Sequence, residues 1–517
     1  MTSSLLGVRC QCEVDPFAQP FDSPEAELSY LTEVAVQTNA RITKSLHVLA
    51  RIRRRCNRLR STIYSLPPEI LSTVFQLLQS PSDDLDYGNS NESSREWESF
   101  PKPDFSAITL SSVSWHWRQV TLATPRFWRS FALRMSIERV RRYTFLLQHY
   151  MARAKPFSVS VNLSFGDCHI GEEASFSREY ARLYSVLFSR GNAERVCGLR
   201  LHNPPLEWLS AVSNLSSLHT LCITFESDRS SDHSGASLHL LPHALRRLFL
   251  GNTNWVSVDV PPSLKFLTLS GVPPKLEMHL FQQCPELIEY YSDNPADYET
   301  IPELRFNTPL VFHHLSSLTW AASRGINDGS ASEHVFLPAL KKLHLLAPEP
   351  VQGLPVIGFI RNHGKTLHTL ELDQFIEWGG RNSFQSLFCH EFPCLQHLAI
   401  TQAPLPVLVS SIVALTPAED ELEEGKIPLP SMKFLRLGYN GNHHNMGDMS
   451  QIGQLVSTML EFREAGEHSE FHLDITDFED KEDLAWPLEL KQKLNQYLSS
   501  TCHPVKITQE GKVPIWL

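Results

Sequence analysis

The sequence predicts an α/β protein in which an all-α N-terminal region precedes a solenoid with a parallel β-sheet on its concave face. Apolar residues recur at steps of three and four between residues 24 and 64 without an internal Gly or Pro, which is typical of a long helix. From residue 155 onward, a short L-x-x-L-x-L pattern returns at nearly regular spacing, as expected when each repeat supplies one strand. The chain has 517 residues and is 42% hydrophobic, which excludes a wholly disordered protein.

Composition and charge narrow the functional classes. The net charge of -11 argues against a general nucleic-acid coat, which needs a dominant basic field, so no nucleic-acid partner is expected. The longest apolar stretch, 404–415, is shorter than the ~20 residues of a membrane span, so no membrane partner is expected. The N-terminus lacks a secretory signal pattern, and the ten cysteines form no disulfide framework. Cytoplasm or nucleus is therefore the expected compartment.

Residues 1–23 are expected to be a flexible leader, and the long amphipathic helix follows over 24–64. Its apolar seam has heptad spacing, which permits two interpretations. The helix packs on its own chain, or it forms a coiled coil with another chain. We favour intramolecular packing, because Thr38 and Ser45 dilute the seam. The Arg-rich segment 51–60 fits a solvated helix face better than a nuclear signal or a nucleic-acid contact. The seam residues are Leu28, Leu31, Ala35, Thr38, Ile42, Ser45, Leu49, Ile52, Cys56, Leu59 and Ile63.

A second helical segment is expected over 65–133, with a polar, acidic loop at 80–106. It opens on Leu66-Pro67-Pro68-Glu69-Ile70-Leu71, where the prolines favour a helix start and Glu69 complements the helix dipole. The apolar residues that follow cover more than half of the helix circumference, which indicates burial on two sides. Val113, Trp117 and Arg118 come after the loop, and Thr124-Pro125 leads to Trp128.

This succession, L-P-P-E-I-L, then V-S-x-x-W-R, then T-P-x-x-W, resembles an F-box, particularly the version found in large families of fungal F-box proteins. The resemblance implies binding to a Skp-type linker subunit and, through it, to the cullin of an SCF ubiquitin ligase. Ser114 stands where the family usually has Cys, and the 80–106 loop is longer than in the compact motif. The implied linker-binding residues are Leu66, Pro67, Pro68, Glu69, Ile70, Leu71, Val74, Phe75, Leu78, Val113, Trp117, Arg118 and Trp128.

Residues 155–475 are predicted to form degenerate leucine-rich repeats. The motif recurs at steps of about 19 to 28 residues, with a last step of 37 that holds an acidic insertion. The Asn expected three residues past the last Leu is missing, since Glu226, Thr253 and Val272 stand there. Residues 476–517 are expected to form a C-terminal helix and tail. The strict alternation over 157–163 predicts a first strand before the motifs. The motifs begin at Val196, Leu218, Leu245, Leu264, Leu287, Leu315, Leu340, Leu367, Leu395 and Met432.

The fifth residue of each motif should point to the concave face. Such a row could bind a target protein, with aromatic residues at the centre of the contact. The chain would then act as the substrate-recognition adaptor of the ligase. The alternative is a leucine-rich-repeat scaffold for protein–protein interaction, without a role in ubiquitination, in which the helices only cap the solenoid. The candidate target-binding residues are Arg200, Phe249, Tyr291, His344, Glu371 and Arg436.

The sequence offers no basis for catalysis. Phosphate-binding and hydrolase motifs are missing, and no nucleophile, base and oxyanion set can be named, so we expect no enzymatic activity and no cofactor. Metal binding is not expected either, because three candidate groups lack a second ligand pair at zinc spacing. These groups are Cys389-His390 with Cys394, Cys10 with Cys12, and His443-His444.

Overall fold

The computed structural model divides the chain into two compact units, one ending at Phe127 and the other continuing from Trp128. The metal-ligand candidates Cys10, Cys12, Cys389, His390, His443 and His444 lie outside the described residues, as does the predicted loop 80–106. The structure describes residues 21, 23–60, 62–78, 107–135, 139–165, 173–226, 237–240, 243–253, 255, 257–293, 309–321, 334–346, 353–374, 392–416, 429–439, 456, 459, 471–476, 492 and 505–509.

The first unit is helical. Its first helix begins where predicted, because the Ser23 hydroxyl accepts a hydrogen bond from the Ala26 amide at 3.2 Å and Pro24 occupies the first turn. Ser114 caps the fourth helix in the same way, accepting from the Trp117 amide at 3.1 Å. The elements are α1 Pro24–Arg60, a 3₁₀ turn Thr62–Ser65, α2 Pro68–Leu78, α3 Ala107–Val113, α4 Trp115–Ala123 and a 3₁₀ turn at Pro125–Trp128.

Helix α1 exposes its apolar seam. Leu28 is 68% exposed and Ile52 is 55% exposed, and Ile42, Leu49 and Leu59 are exposed as well. Within the described residues, the first unit therefore leaves most of the seam uncovered, contrary to the favoured interpretation in which this helix packs on its own chain. The heptad spacing correctly predicted an apolar face, but spacing alone does not say what covers that face. The arginines at 51 and 53–55 are also exposed.

The second unit contains a sheet of fourteen parallel strands among the described residues, and each strand inside the sheet pairs with the strand before it and the strand after it. Two short parallel pairs, Ser237–His239 with Ser257–Asp259 and Leu310–Val311 with Val335–Phe336, lie outside this sheet. The fourteen strands are β1 Ser130–Arg134, β2 Val159–Ser164, β3 Val196–His202, β4 Thr220–Thr224, β5 Arg247–Gly251, β6 Phe266–Ser270, β7 Glu289–Ser292, β8 Ser317–Ala321, β9 Lys342–Leu346, β10 Thr369–Asp373, β11 His397–Ala403, β12 Phe434–Tyr439, β13 Phe471–Thr476 and β14 Val505–Gln509.

Helices connect several of these strands, as parallel pairing requires a crossover between strands. Segment 404–415 supplies one of them, and its buried residues include Val407, Leu408 and Ile412. Among the residues that the structure describes, no helix is long and apolar enough to cross a membrane. The helices are α5 Val140–Arg153, α6 Glu173–Phe188, α7 Arg190–Ala193, α8 Leu206–Val212, α9 Pro274–Gln283, α10 Gly353–His363 and α11 Leu405–Leu415, with a 3₁₀ turn at Gly364–Thr366.

Every predicted L-x-x-L-x-L motif coincides with a strand of the main sheet. In most motifs the first Leu lies two residues before the strand and is fully buried in the preceding turn, as Leu340 shows. The next two Leu residues, Leu343 and Leu345 in this motif, are fully buried within the strand. Buried and half-buried residues alternate along most of these strands, so the buried leucines all lie on the same face of the sheet.

The predicted domain boundaries need correction at both ends of the sheet. Ser130–Arg134 pairs with Val159–Ser164, so the sheet begins within the segment 65–133 that the sequence assigned to the helical unit. At the other end, Val505–Gln509 pairs with Phe471–Thr476, although 476–517 was predicted as a helix and tail. Neither of the added strands β1 and β14 carries the leucine motif, which is why the sequence pattern missed them.

A ladder of positive-φ residues follows the strands. Asn203 and Asn252 each lie two residues after the last apolar residue of their motif, with φ of 50°. Asn203 Oδ1 accepts from the Glu226 amide at 2.8 Å, and Asn252 Nδ2 donates to the Phe225 carbonyl at 3.0 Å. Gly271 has the same position with φ of 58°, and a Cβ there would collide with the Asn252 side chain. Asn was expected three residues after the last Leu of the motif, whereas the structure has it two residues after.

Candidate functional site

An apolar face lies exposed on helix α2 of the first unit. Ile70 is 51% exposed, Val74 39% and Leu77 80%, and the spacing of four and three places them on one side of the helix. Pro67, at the start of the helix, is exposed too. We call Pro67, Ile70, Val74 and Leu77 the α2 face. A contiguous exposed apolar stripe of this kind is typical of a protein-binding surface.

The opposite side of α2 forms the core of the unit. Leu71 and Phe75 are fully buried, and the Phe75 ring lies 4.5 Å from Trp117 and 6.0 Å from Phe127, centroid to centroid. Both were predicted to bind the linker, and their burial removes them from any contact surface. They hold α2 in place instead, because their spacing of four puts them on the inward side.

A second group of exposed apolar residues belongs to α3 and α4. Ile108, Val113 and Trp115 are all exposed. Val113 was predicted as a contact residue, whereas Ile108, Trp115 and Leu77 were not. Leu77 could have been found, because it continues the spacing of Ile70 and Val74 by three residues. No comparable signal identified Ile108 or Trp115, since their exposure depends on how the short helices α3 and α4 pack.

The other predicted linker-binding residues differ in how exposed their side chains are. Pro68 and Glu69 are exposed at the start of α2 and Leu66 is half-buried, while the side chain of Leu78 lies outside the described residues. Arg118 is exposed, and its Nε donates to the Ser111 carbonyl at 2.9 Å. Trp117 is half-buried against Phe75.

Trp128 is not part of the first unit. It is buried in the second unit, where its ring packs edge-on against Tyr150 at 4.9 Å and beneath the Arg153 guanidinium at 5.6 Å. The prediction that Trp128 contacts the linker is therefore wrong. The neighbouring Phe127, in contrast, belongs to the first unit and packs against Phe75.

The fifth-position residues of the motifs form a single row across the second unit. The strand register pairs Arg200 with Cys222, Cys222 with Phe249, and so on in sequence to Arg436 and Asp474. Phe249 is only 6% exposed, which leaves it little surface to offer a target. Of the six predicted target-binding residues, Arg200, Tyr291, His344, Glu371 and Arg436 are half-buried and Phe249 is buried.

Paired charges occupy the C-terminal part of this face, where Lys342, the third residue of its motif, lies beside the row. Lys342 Nζ and His344 Nδ1 lie 3.5 and 3.7 Å from the two carboxylate oxygens of Glu371. Further along, Arg436 Nε donates to Asp474 Oδ2 at 2.9 Å. The Arg436 guanidinium also lies 5.5 Å from the centre of the Phe434 ring.

Asp474 is fully buried and is satisfied by a short polar chain. Thr508 donates its hydroxyl hydrogen to Asp474 Oδ1 at 2.5 Å. His472 Nε2 lies 2.7 Å from the same hydroxyl, which can then only accept, so Nε2 carries a hydrogen. The last strands of the sheet are thus joined by side chains as well as by their backbones.

Burial shifts the pKa of several titratable groups on this face. Burial lowers the pKa of His344, although the nearby Glu371 opposes this, and burial also lowers the pKa of His397. The Cys222 thiol, adjacent in the row to Arg200, has a pKa raised to about 11 by burial. A thiol with so high a pKa remains protonated at neutral pH and is a poor nucleophile.

Comparisons with known proteins leave the family open. No protein-family model matches this chain, and no curated protein matches it. Within the described part of the chain, no group of three or more His, Cys, Asp or Glu side chains is arranged to hold a metal ion.

Proposed function

We propose that this chain is the substrate-recognition adaptor of an SCF-type cullin ubiquitin ligase. The helical unit acts as an F-box that binds a Skp-type linker through the α2 face, and the sheet unit, built from leucine-rich repeats, binds the target protein. The chain performs no chemistry itself. It raises the local concentration of the target beside a ubiquitin-charged enzyme elsewhere in the complex.

The observation that carries this proposal is the division of α2 into two apolar sides. Leu71 and Phe75 form the inner side, whereas Ile70, Val74 and Leu77 are exposed although a folded chain gains nothing by exposing them. A helix that is apolar around most of its circumference needs cover on both sides. The F-box resemblance supplies the partner for the outer side, namely the Skp-type linker.

The α2 face is tested by changing two of its residues together. We expect Ile70→Ser with Val74→Ser to weaken binding of the full chain to a recombinant Skp-type linker by about 100-fold or more, because interface energy concentrates in a few apolar anchors. Isothermal titration calorimetry measures the affinity, and circular dichroism confirms that the variant remains folded. Both side chains are exposed, so the substitutions leave the core intact.

A matched control exists in the second unit. Val413 on α11 is 43% exposed, close to the 39% of Val74, and Val413→Ser should leave linker binding unchanged. If the double variant binds the linker as tightly as the parent does, the F-box assignment fails. The scaffold without a role in ubiquitination then becomes the better account.

A further inference from the structure

Helix α1 presents an apolar seam that stays largely exposed among the residues that the structure describes. The helix has 37 residues and is about 55 Å long at 1.5 Å per residue. Leu28, Ile42, Leu49, Ile52 and Leu59 all occupy the seam and are all exposed. Their steps of three and four match the heptad spacing by which two helices pack side by side. An isolated helix of this kind gains most of its stability from such packing.

The charges of α1 are separated along its length. Glu25, Glu27 and Glu33 lie near its N-terminus, whereas Arg51 and the arginines at 53–55 lie near its C-terminus. Two copies in parallel would place both arginine-rich ends side by side. Two copies in antiparallel orientation would place each acidic end beside a basic end. Antiparallel packing also places the two helix dipoles in opposite directions. Both the side-chain charges and the dipoles therefore favour the antiparallel orientation.

The seam residues fit the same orientation. When two copies are aligned so that Leu28 lies opposite Leu59, the smaller residues meet larger ones. Ala35 then lies opposite Ile52, Thr38 opposite Leu49, and Ser45 opposite Ile42. In a parallel pair Thr38 and Ser45 would each meet their own copy, which leaves two polar layers in the seam. Alternation of large and small residues across an interface gives the denser packing.

From these observations we propose that α1 forms an antiparallel coiled coil with the α1 helix of a second copy of this chain. The dimer presents two α2 faces and two sheet units to their partners. The inference does not depend on the proposed function, because the seam and the α2 face consist of different residues. Its failure and the failure of linker binding are therefore measured separately.

Sedimentation of the full chain tests the pairing. We expect a species of twice the 58.7 kDa chain mass that dissociates on dilution. Leu49→Asp should raise the dimer dissociation constant by about 100-fold or more, because each dimer would bury two unpaired carboxylates. Val36→Asp is the matched control, since Val36 is 65% exposed but lies off the seam. A full chain that stays monomeric, or equal effects of the two substitutions, would overturn the proposal.

The orientation is tested by oxidation, using the exposed seam residue Cys56 as a probe. In the antiparallel register Cys56 lies opposite Leu31 of the second copy. Leu31→Cys should therefore yield a disulfide-linked dimer on mild oxidation, and adding Cys56→Ser should abolish that link. A Cys56-dependent link in the unsubstituted chain would instead show a parallel pair and refute the antiparallel orientation.

Discussion

His363 makes the stability of the sheet unit depend on pH. The imidazole, on the last turn of α10, is 6% exposed, and its ring lies 4.9 Å from Phe359. Among the described residues, its Nε2 atom has no hydrogen-bond partner. Burial therefore lowers the pKa of His363 from 6.5 to about 4, although a hydrogen bond with the Val335 backbone acts in the opposite direction.

The sign and size of the effect follow from proton linkage. Between pH 6.5 and about 4 the unfolded chain binds the proton and the folded chain does not, so acid favours unfolding. The stability lost is about 2 kcal/mol at pH 5 and approaches about 3 kcal/mol below pH 4. Above pH 7 both states are neutral at this residue, and stability should not change with its titration.

Urea denaturation of the parent and of His363→Gln, followed by circular dichroism, measures this contribution. Glutamine keeps polar atoms at the site but does not titrate. The parent should lose about 2 kcal/mol more unfolding free energy than the variant between pH 7 and pH 5. His344 and His397 also titrate in the parent, but they are present in both proteins and cancel in the comparison. Equal losses in the two proteins would refute the assignment of the pH dependence to His363.

Two pairs of substitutions test the packing of the sheet unit by thermal unfolding. Leu343→Asp should lower stability by several kcal/mol, because it buries an unpaired charge in the leucine face, while His344→Ala on the other face should cost less than about 1 kcal/mol. Comparable losses would mean that the strand register is wrong. Asn252→Ala should cost about 1 to 3 kcal/mol, because it removes the hydrogen bond to the Phe225 carbonyl and places a non-glycine residue without a polar side chain at φ of 50°. Asn252→Gly, which removes the same bond but relieves the backbone, should cost less, and an equal cost would attribute the whole effect to the hydrogen bond.

The sequence predicted the sheet well because one physical rule generates it. A strand with two inward leucines, repeated at similar spacing, buries those leucines only by stacking on its neighbours. The rule failed where the leucines are missing. Ser130–Arg134 has the sequence SFALR, which lacks the leucine motif. It lies shortly after Trp128, within the segment 65–133 that was assigned to the helical unit. Val505–Gln509 reads VKITQ and lies far from any motif.

The helical surfaces were harder to predict, because spacing identifies a face but not its neighbour. Ile70 and Leu71 are adjacent in sequence and equally apolar, yet one is exposed and the other is fully buried. Only the position of Trp117 and Phe127 against Phe75 decides which side of α2 turns inward. The same limitation applies to α1, because heptad spacing located its apolar seam but did not indicate that most of the seam is exposed in the first unit.

The two candidate surfaces differ in the kind of binding they can support. On the α2 face a partner covers exposed apolar side chains and gains free energy without breaking any existing contact. On the sheet row, Glu371 already faces Lys342 and His344, and Arg436 already donates to Asp474. A charged target must compete with those pairs, so its net gain there is small. Tyr291 is half-buried and its hydroxyl donates to Asp293 Oδ2 at 3.4 Å, so a target on this face would gain from the area of its ring rather than from its hydroxyl.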